Sequence, residues 1–174
     1  MKIDDLVNKI LIFGEKINKK KLRPYQRERA GQLVKAVILH EPGIWTTLWS
    51  RKSGKSETLK IIMLALMTLL PELAKTHVAK DFPRLKLFRD GLEVAFAGPK
   101  ESIAKIPFIR LRRQARQKKF VDVLHSLELE VIASNSVQFE LSNGSTATAF
   151  SGSETAANEG PGAHVILLDE SSLH

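Results

Sequence analysis

The chain reads as an α/β fold, a mostly parallel sheet flanked by helices that closes on a late β-hairpin. Three observations predict it. Apolar residues switch between helical and strand spacing, so strands alternate with helices. Asn143-Gly144 divides two strand-like runs, a two-residue hairpin signal. Val165-Ile166-Leu167-Leu168 is a short, wholly apolar run, as a fully buried parallel strand requires.

Taken in order, residues 2–19 place Ile3, Leu6, Val7, Ile10, Leu11 and Ile17 at helical spacing, an amphipathic helix. Lys19-Lys20-Lys21 follows as a polar linker, so 1–21 is expected to be a helical lead-in and 22–174 the main domain. Leu22-Arg23-Pro24-Tyr25-Gln26-Arg27 opens a second helix, with Pro24 early, where proline is tolerated. Leu33, Val34, Val37 and Ile38 supply its buried face. Pro42-Gly43 turns the chain into a short buried strand over 43–47, and 57–70 is a helix expected to close at Pro71. Residues 76–90 form a loop or short irregular helix, anchored by Phe82, Leu85, Leu87 and Phe88.

Gly91 leads into a buried strand over 92–97, which Gly98-Pro99 ends. The basic helical region after it is expected to split or kink at Pro107. Short strands follow over 128–133, 137–141 and 146–151. A small, polar stretch with Gly152, Gly160 and Gly162 reads as a flexible loop before the last apolar run.

The 174 residues suffice for a domain with a core, and 43% hydrophobic and 26% charged residues exclude a disordered chain. The longest apolar run, 61–70, is interrupted by Thr68 and is too short to span a bilayer. No cysteine is present, which excludes disulfides and thiolate metal sites. The N-terminus carries Asp4 and Asp5 and lacks a signal-peptide apolar region. The net charge of +8 favours polyanionic partners. Between Pro99 and Phe120 the sequence carries eight basic residues against one acid, Glu101.

Ser50-Arg51-Lys52-Ser53-Gly54-Lys55-Ser56 lies between the expected strand and helix, the layout of a phosphate-binding loop. Gly54 lets successive amides converge on one point, and the helix start completes an anion site. Lys55 would reach the β- and γ-phosphates, and the Ser56 hydroxyl would bind Mg²⁺. The generic pattern has a glycine where Trp49 stands, so the match is partial. A bare Gly-Lys-Ser also fits a helix start with an exposed lysine.

Asp169-Glu170 ends the last apolar run, as the carboxyl end of a parallel strand would place a ligand site. Asp169 can hold Mg²⁺ opposite Ser56, and Glu170 can orient or deprotonate the attacking water. The plainer alternative is a buried strand leaving into solvent. The two motifs occur in the order that nucleotide binding requires.

With both motifs in place, the chain from about Leu22 to His174 resembles the ATPase domain of phage terminase large subunits. Their phosphate loop commonly reads Ser-Arg-Gln-x-Gly-Lys-Ser/Thr without the first glycine. Ser50, Arg51, Ser53, Gly54, Lys55 and Ser56 match it, and Lys52 stands where glutamine is usual. Arg23-Pro24-Tyr25-Gln26 resembles the adenine-reading segment, in which Gln26 would bond the adenine edge with Tyr25 packed nearby.

The resemblance implies a P-loop NTPase fold of the RecA or additional-strand type. It implies ATP and Mg²⁺ as ligands, with Glu170, Lys55 and Arg51 catalytic and Arg51 at the γ-phosphate. It further implies translocation of double-stranded DNA into a procapsid, by a homo-oligomeric ring working with a portal protein and a small terminase subunit. The place of action would be the portal, in the cytoplasm of a bacterial host.

The family continues beyond the Asp-Glu strand with a coupling motif, more of the sheet and a nuclease domain. The expectation is therefore an N-terminal fragment, or a truncated gene, with an incomplete sheet and weak ATPase activity alone. Two other readings stand beside it. A helicase-like DNA-dependent ATPase also suits Leu22-Arg23-Pro24-Tyr25-Gln26, although Ser171-Ser172 follows Glu170 where helicases often carry histidine or aspartate. A non-enzymatic DNA-binding module would use the basic helix, with Arg112 and Arg113 on its binding face.

Overall fold

The computed structural model describes residues 1–43, 53–98, 101–151 and 163–168. The chain divides into two compact units, Met1–Asp90 and Gly91–His174.

The first unit is helical over its described residues. Helix α1 (Ile3–Asn18) follows the predicted spacing, burying Leu6, Val7, Ile10, Leu11 and Ile17. Asp4 and Asp5 in its first turn and Lys16 in its last complement the helix dipole. Helix α2 (Pro24–Leu39) starts on Pro24, whose missing N–H costs nothing there. Its buried face is Gln26, Ala30, Val34, Ala36 and Ile38; Leu33 and Val37 are only partly covered. Arg27 pairs with Glu15 at 2.8 Å, and Glu15 also accepts the Leu22 N–H at 2.9 Å, so the basic linker is tied to α1.

Helix α3 (Lys55–Ala74) is apolar around most of its circumference, as a core helix must be. Met63, Leu64, Leu66, Met67 and Leu70 are completely buried, and α1, α2 and the 3₁₀ turn at Pro83–Phe88 pack against the helix. The expected stop at Pro71 does not occur: α3 continues to Ala74. A proline there removes one hydrogen bond near the helix end, and the burial of Leu70 and Ala74 on either side offsets the loss. Helix α4 (Val78–Asp81) and the 3₁₀ turn occupy the expected irregular segment. Phe82, Leu85 and Phe88 anchor it, whereas Leu87 points outward and is 52% exposed. A six-residue 3₁₀ turn cannot cover all of its side chains, and Leu87 falls on the open side.

The second unit holds a five-stranded sheet in the order β2-β3-β4-β1-β5. Its strands are β1 (Glu93–Gly98), β2 (Val131–Ser134), β3 (Gln138–Leu141), β4 (Thr146–Ser151) and β5 (Val165–Leu168). β1 pairs parallel with β4 and with β5, while β2–β3 and β3–β4 are antiparallel. The sheet is therefore mixed, not mostly parallel. Three short strands separated by only a few residues can connect as hairpins but cannot cross over, which needs about a dozen residues.

The Asn143-Gly144 turn forms, but as a four-residue loop, 142–145. Asn143 Oδ1 accepts the Ser145 N–H at 3.1 Å, and Gly144 takes φ +85°. Ser145 is drawn into the core, where its Oγ accepts the Leu92 N–H at 3.0 Å. At Gly91, with φ +123°, a β-carbon would fall on the Gly144 carbonyl, so this close backbone approach admits only glycine.

Helix α5 (Glu101–Ala115) runs unbroken through Pro107, contrary to the expected split. It packs on β1 and β4. Phe108 and Leu111 are fully buried. Burying two such side chains contributes about 1.5–3 kcal/mol each, enough to offset the roughly 3 kcal/mol of an interior proline. Helix α6 (Lys118–Ser126) buries Phe120 and Leu124. β5 is not fully buried: Val165 is covered, but Ile166 is 56% exposed, the alternation of a strand with one covered face. His164 clamps its start, accepting the Glu93 N–H on Nδ1 and donating its own N–H to the Glu93 carbonyl, both at 3.0 Å.

Candidate functional site

The site is built on the first turn of α3. Gly54 is its N-cap, with φ +87° and ψ +22°, a left-handed conformation that suits glycine. The Gly54 carbonyl accepts both the Thr58 N–H at 2.9 Å and the Thr58 hydroxyl at 3.0 Å, so the turn is fastened one helical step in. Lys55 and Ser56 are the first two helical residues. The first-turn amides of an α-helix have no acceptor within the helix, and together with the helix dipole they favour an anion.

Tyr25 and Gln26, in the first turn of α2, meet this loop directly. The Tyr25 hydroxyl donates to the Ser53 carbonyl at 2.7 Å, and Gln26 Nε2 donates to the same oxygen at 2.8 Å. Gln26 Oε1 meanwhile accepts the Arg23 N–H at 2.9 Å, which satisfies a donor at the start of α2. One carboxamide thus caps its own helix and holds the residue before Gly54. Each of its two polar atoms retains one further hydrogen-bonding position. Gln26 is 8% exposed, so its amide is held in place, whereas Tyr25 is 40% exposed.

The amide also lies against the open side of Gly54. A β-carbon on Gly54 would stand 2.5 Å from Gln26 Nε2, so the backbone favours glycine and any side chain there would have to displace the Gln26 amide. The Ser53 hydroxyl oxygen is buried and has no hydrogen-bond partner among the described residues. A buried, unsatisfied hydroxyl beside a helix N-terminus is a position where a ligand oxygen would be favourable. Glu57 completes the turn, pairing with Lys60 at 2.7 Å and with Lys20 at 3.8 Å.

The structure thus brings together Tyr25, Gln26, Ser53, Gly54, Lys55 and Ser56 within the first unit. Ser50, Arg51 and Lys52 lie outside the described residues, as does the strand expected over 43–47 apart from Gly43. β5 ends at Leu168, so the strand half of the second motif forms, but Asp169 and Glu170 lie outside the described residues. The described residues fit the phosphate end of a nucleotide: a left-handed glycine, a helix N-terminus, and a lysine and a serine in the first turn. For Mg²⁺ they supply the Ser56 hydroxyl alone.

Sequence reasoning did not anticipate the loop-holding hydrogen bonds of Tyr25 and Gln26, nor the two hydrogen bonds that Thr58 donates to the Gly54 carbonyl. Thr58 had a signal, since a threonine four residues into a helix can bond back to the carbonyl of residue i−4. The Tyr25 and Gln26 bonds span 28 and 27 residues and have no local signature. No helix among the described residues is long and apolar enough to cross a membrane. No protein-family model, no curated protein and no solved structure matches the chain.

Proposed function

We propose that the chain binds ATP at the N-terminus of α3 and serves as the ATPase part of a DNA-packaging motor resembling the terminase large subunit. The observation that carries the reading is the Gly54-Lys55-Ser56 turn, with left-handed Gly54 capping α3 and the Ser53 carbonyl held by Tyr25 and Gln26. A helix N-terminus that follows such a loop offers its first-turn amides and the helix dipole to an anion.

In this reading the Lys55 ammonium offsets charge on the terminal phosphates. The Ser56 hydroxyl and the Asp169 carboxylate are the groups that would hold Mg²⁺, which would supply charge neutralisation at the phosphoryl oxygens. Glu170 orients the attacking water, and Arg51 offsets charge that develops during transfer. Tyr25 and Gln26 set the loop and border the base. The P-loop NTPase fold, the procapsid portal as place of action and the ring assembly belong to the same proposal.

Equilibrium binding of a fluorescent ATP analogue to the 174-residue chain tests it, alongside Lys55→Ala. Loss of a charge-assisted phosphate contact lowers affinity about tenfold or more, with circular dichroism unchanged. Equal affinity in the two proteins would sink the reading. A second reading, a DNA-binding module without catalysis, is favoured by the basic α5. It stands if Lys55→Ala leaves nucleotide affinity untouched while substitutions on α5 abolish DNA binding.

A further inference from the structure

Two isoleucines stand in solvent on the outer side of α5. The helix packs on β1 and β4 and turns Ala104, Phe108, Leu111 and Ala115 into the core. Its opposite side runs through Ile106, Ile109 and Arg113, with Arg110 alongside. Arg116, one residue past α5, keeps the helical course, because its N–H donates to the Arg112 carbonyl at 3.3 Å. Ile106 is 47% exposed and Ile109 53%. Arg110, Arg113 and Arg116 are exposed too, and none has an ion-pair partner among the described residues.

Ile106, Ile109, Arg113 and Arg116 follow one another at steps of three, four and three residues. That is the repeat which keeps a row of side chains facing one neighbouring helix. Ten helical residues advance about 15 Å, so the row is about three turns long. Its first half is apolar and its second half cationic. Single exposed apolar side chains are ordinary; two of them one turn apart, on a helix whose apolar side is already covered by the sheet, form a strip. Arg112 fastens the helix beneath this row: its Nε donates to Ser134 Oγ at 3.2 Å and a terminal nitrogen donates to the Ser134 carbonyl at 2.9 Å.

We propose that this row is a docking face for an acidic amphipathic helix of a partner protein. Aliphatic side chains of that helix cover Ile106 and Ile109, and its carboxylates meet Arg113 and Arg116, with Arg110 at the margin. The mixed chemistry of the row selects this occupant. A nucleic-acid backbone would satisfy the arginines but press phosphates onto the isoleucines, desolvating charge with nothing in return. A second copy of the row fails as well: laid parallel it sets arginine on arginine, and laid antiparallel it sets isoleucine against arginine, so the face is not complementary to itself. A bilayer needs a broad apolar face, and two isoleucines are a narrow one. The inference goes beyond the nucleotide reading, lies in the other unit, and assigns the outer side of α5 to a protein instead of to DNA.

The test is fluorescence anisotropy of the 174-residue chain with two labelled helical peptides of about 20 residues each. One carries leucine at the seam positions of its N-terminal half and glutamate at those of its C-terminal half; the other has the halves exchanged, so both helix directions are sampled. One of the two should bind. Ile106→Gln with Ile109→Gln should weaken that binding about tenfold or more at every salt concentration, since burial of apolar surface is not screened. Arg113→Glu with Arg116→Glu should weaken it about tenfold or more at low salt, and a peptide with lysine in place of its glutamates should restore it. Lys2→Glu with Lys21→Glu changes the net charge equally from the first unit and should cost less than about threefold. Circular dichroism of each variant should match the parent.

Failure of the parent chain to bind either peptide would overturn the proposal. So would an isoleucine variant that binds as the parent does, or a lysine peptide that fails to rescue the charge-reversed chain. Duplex DNA that displaces the peptide and binds the isoleucine variant as tightly as the parent would give the face to nucleic acid instead. Self-association of the parent that the isoleucine variant loses would give it to a second copy. Lys55→Ala should leave peptide affinity unchanged, so failure of the ATP reading and failure of this face are separately visible.

Discussion

Replacing Gly54 by alanine probes the candidate site at its most constrained point. The backbone at Gly54 has φ +87°, and a non-glycine residue held in the left-handed region costs about 1–2 kcal/mol. The new methyl would stand 2.5 Å from Gln26 Nε2. The Gln26 side chain can swing away only by releasing the Ser53 carbonyl, and the same rotation draws Oε1 off the Arg23 N–H. Two such bonds contribute about 0.5–1.5 kcal/mol each, so the total loss is about 2–5 kcal/mol.

Urea unfolding followed by circular dichroism measures it, provided the slope is unchanged. The double variant with Gln26→Ala separates the two causes. Once the amide is gone the clash is gone, so the double variant should lose about 1–3 kcal/mol less than the sum of the single losses. Losses that add to within about 0.5 kcal/mol would refute the account of Gln26 as the residue that closes over Gly54.

Two further outcomes follow from the packing. Ser145→Ala removes the acceptor of the buried Leu92 N–H and should cost about 1–3 kcal/mol, measured by thermal unfolding, because that donor is left without a partner. The Met1 ammonium at 2.7 Å holds the Asp81 carboxyl below the usual aspartate range. A lowered folded-state pKa means that this pair contributes above the unfolded value and loses its contribution as pH falls through the folded one. The pair is exposed, so high salt should erase most of the difference between the parent and Asp81→Asn in an acid titration.

The unbroken α5 shows how far a local rule reaches. A proline in a helical stretch predicts a break, and Pro107 has the same missing N–H in this fold as elsewhere. The break does not form because Phe108 and Leu111 are driven onto β1 and β4, an interaction between residues far apart in sequence. The sheet gives the same lesson. The strands over 92–97, 137–141, 146–151 and 165–168 were legible to within a residue or two. Their mixed directions were not, because alternation along a strand says which faces are apolar and nothing about which neighbour lies alongside. In the basic helix the sequence treats Arg112 and Arg113 alike, yet one is engaged by Ser134 and the other faces solvent.

At the candidate site the residue types were readable. Gly54, Lys55 and Ser56 stand at a helix start, where glycine is accepted as an N-cap and lysine is a good helix former. The periodicity of α1 was equally a property of the chain itself, since spacing along a helix is local geometry. What the three-dimensional fold alone decided is that Tyr25 and Gln26 reach across to the Ser53 carbonyl, and that β1 lies between β4 and β5. Both depend on which distant segments are brought within about 3–5 Å, the range of a hydrogen bond or a strand pairing, and that proximity is set by the packing of the whole unit.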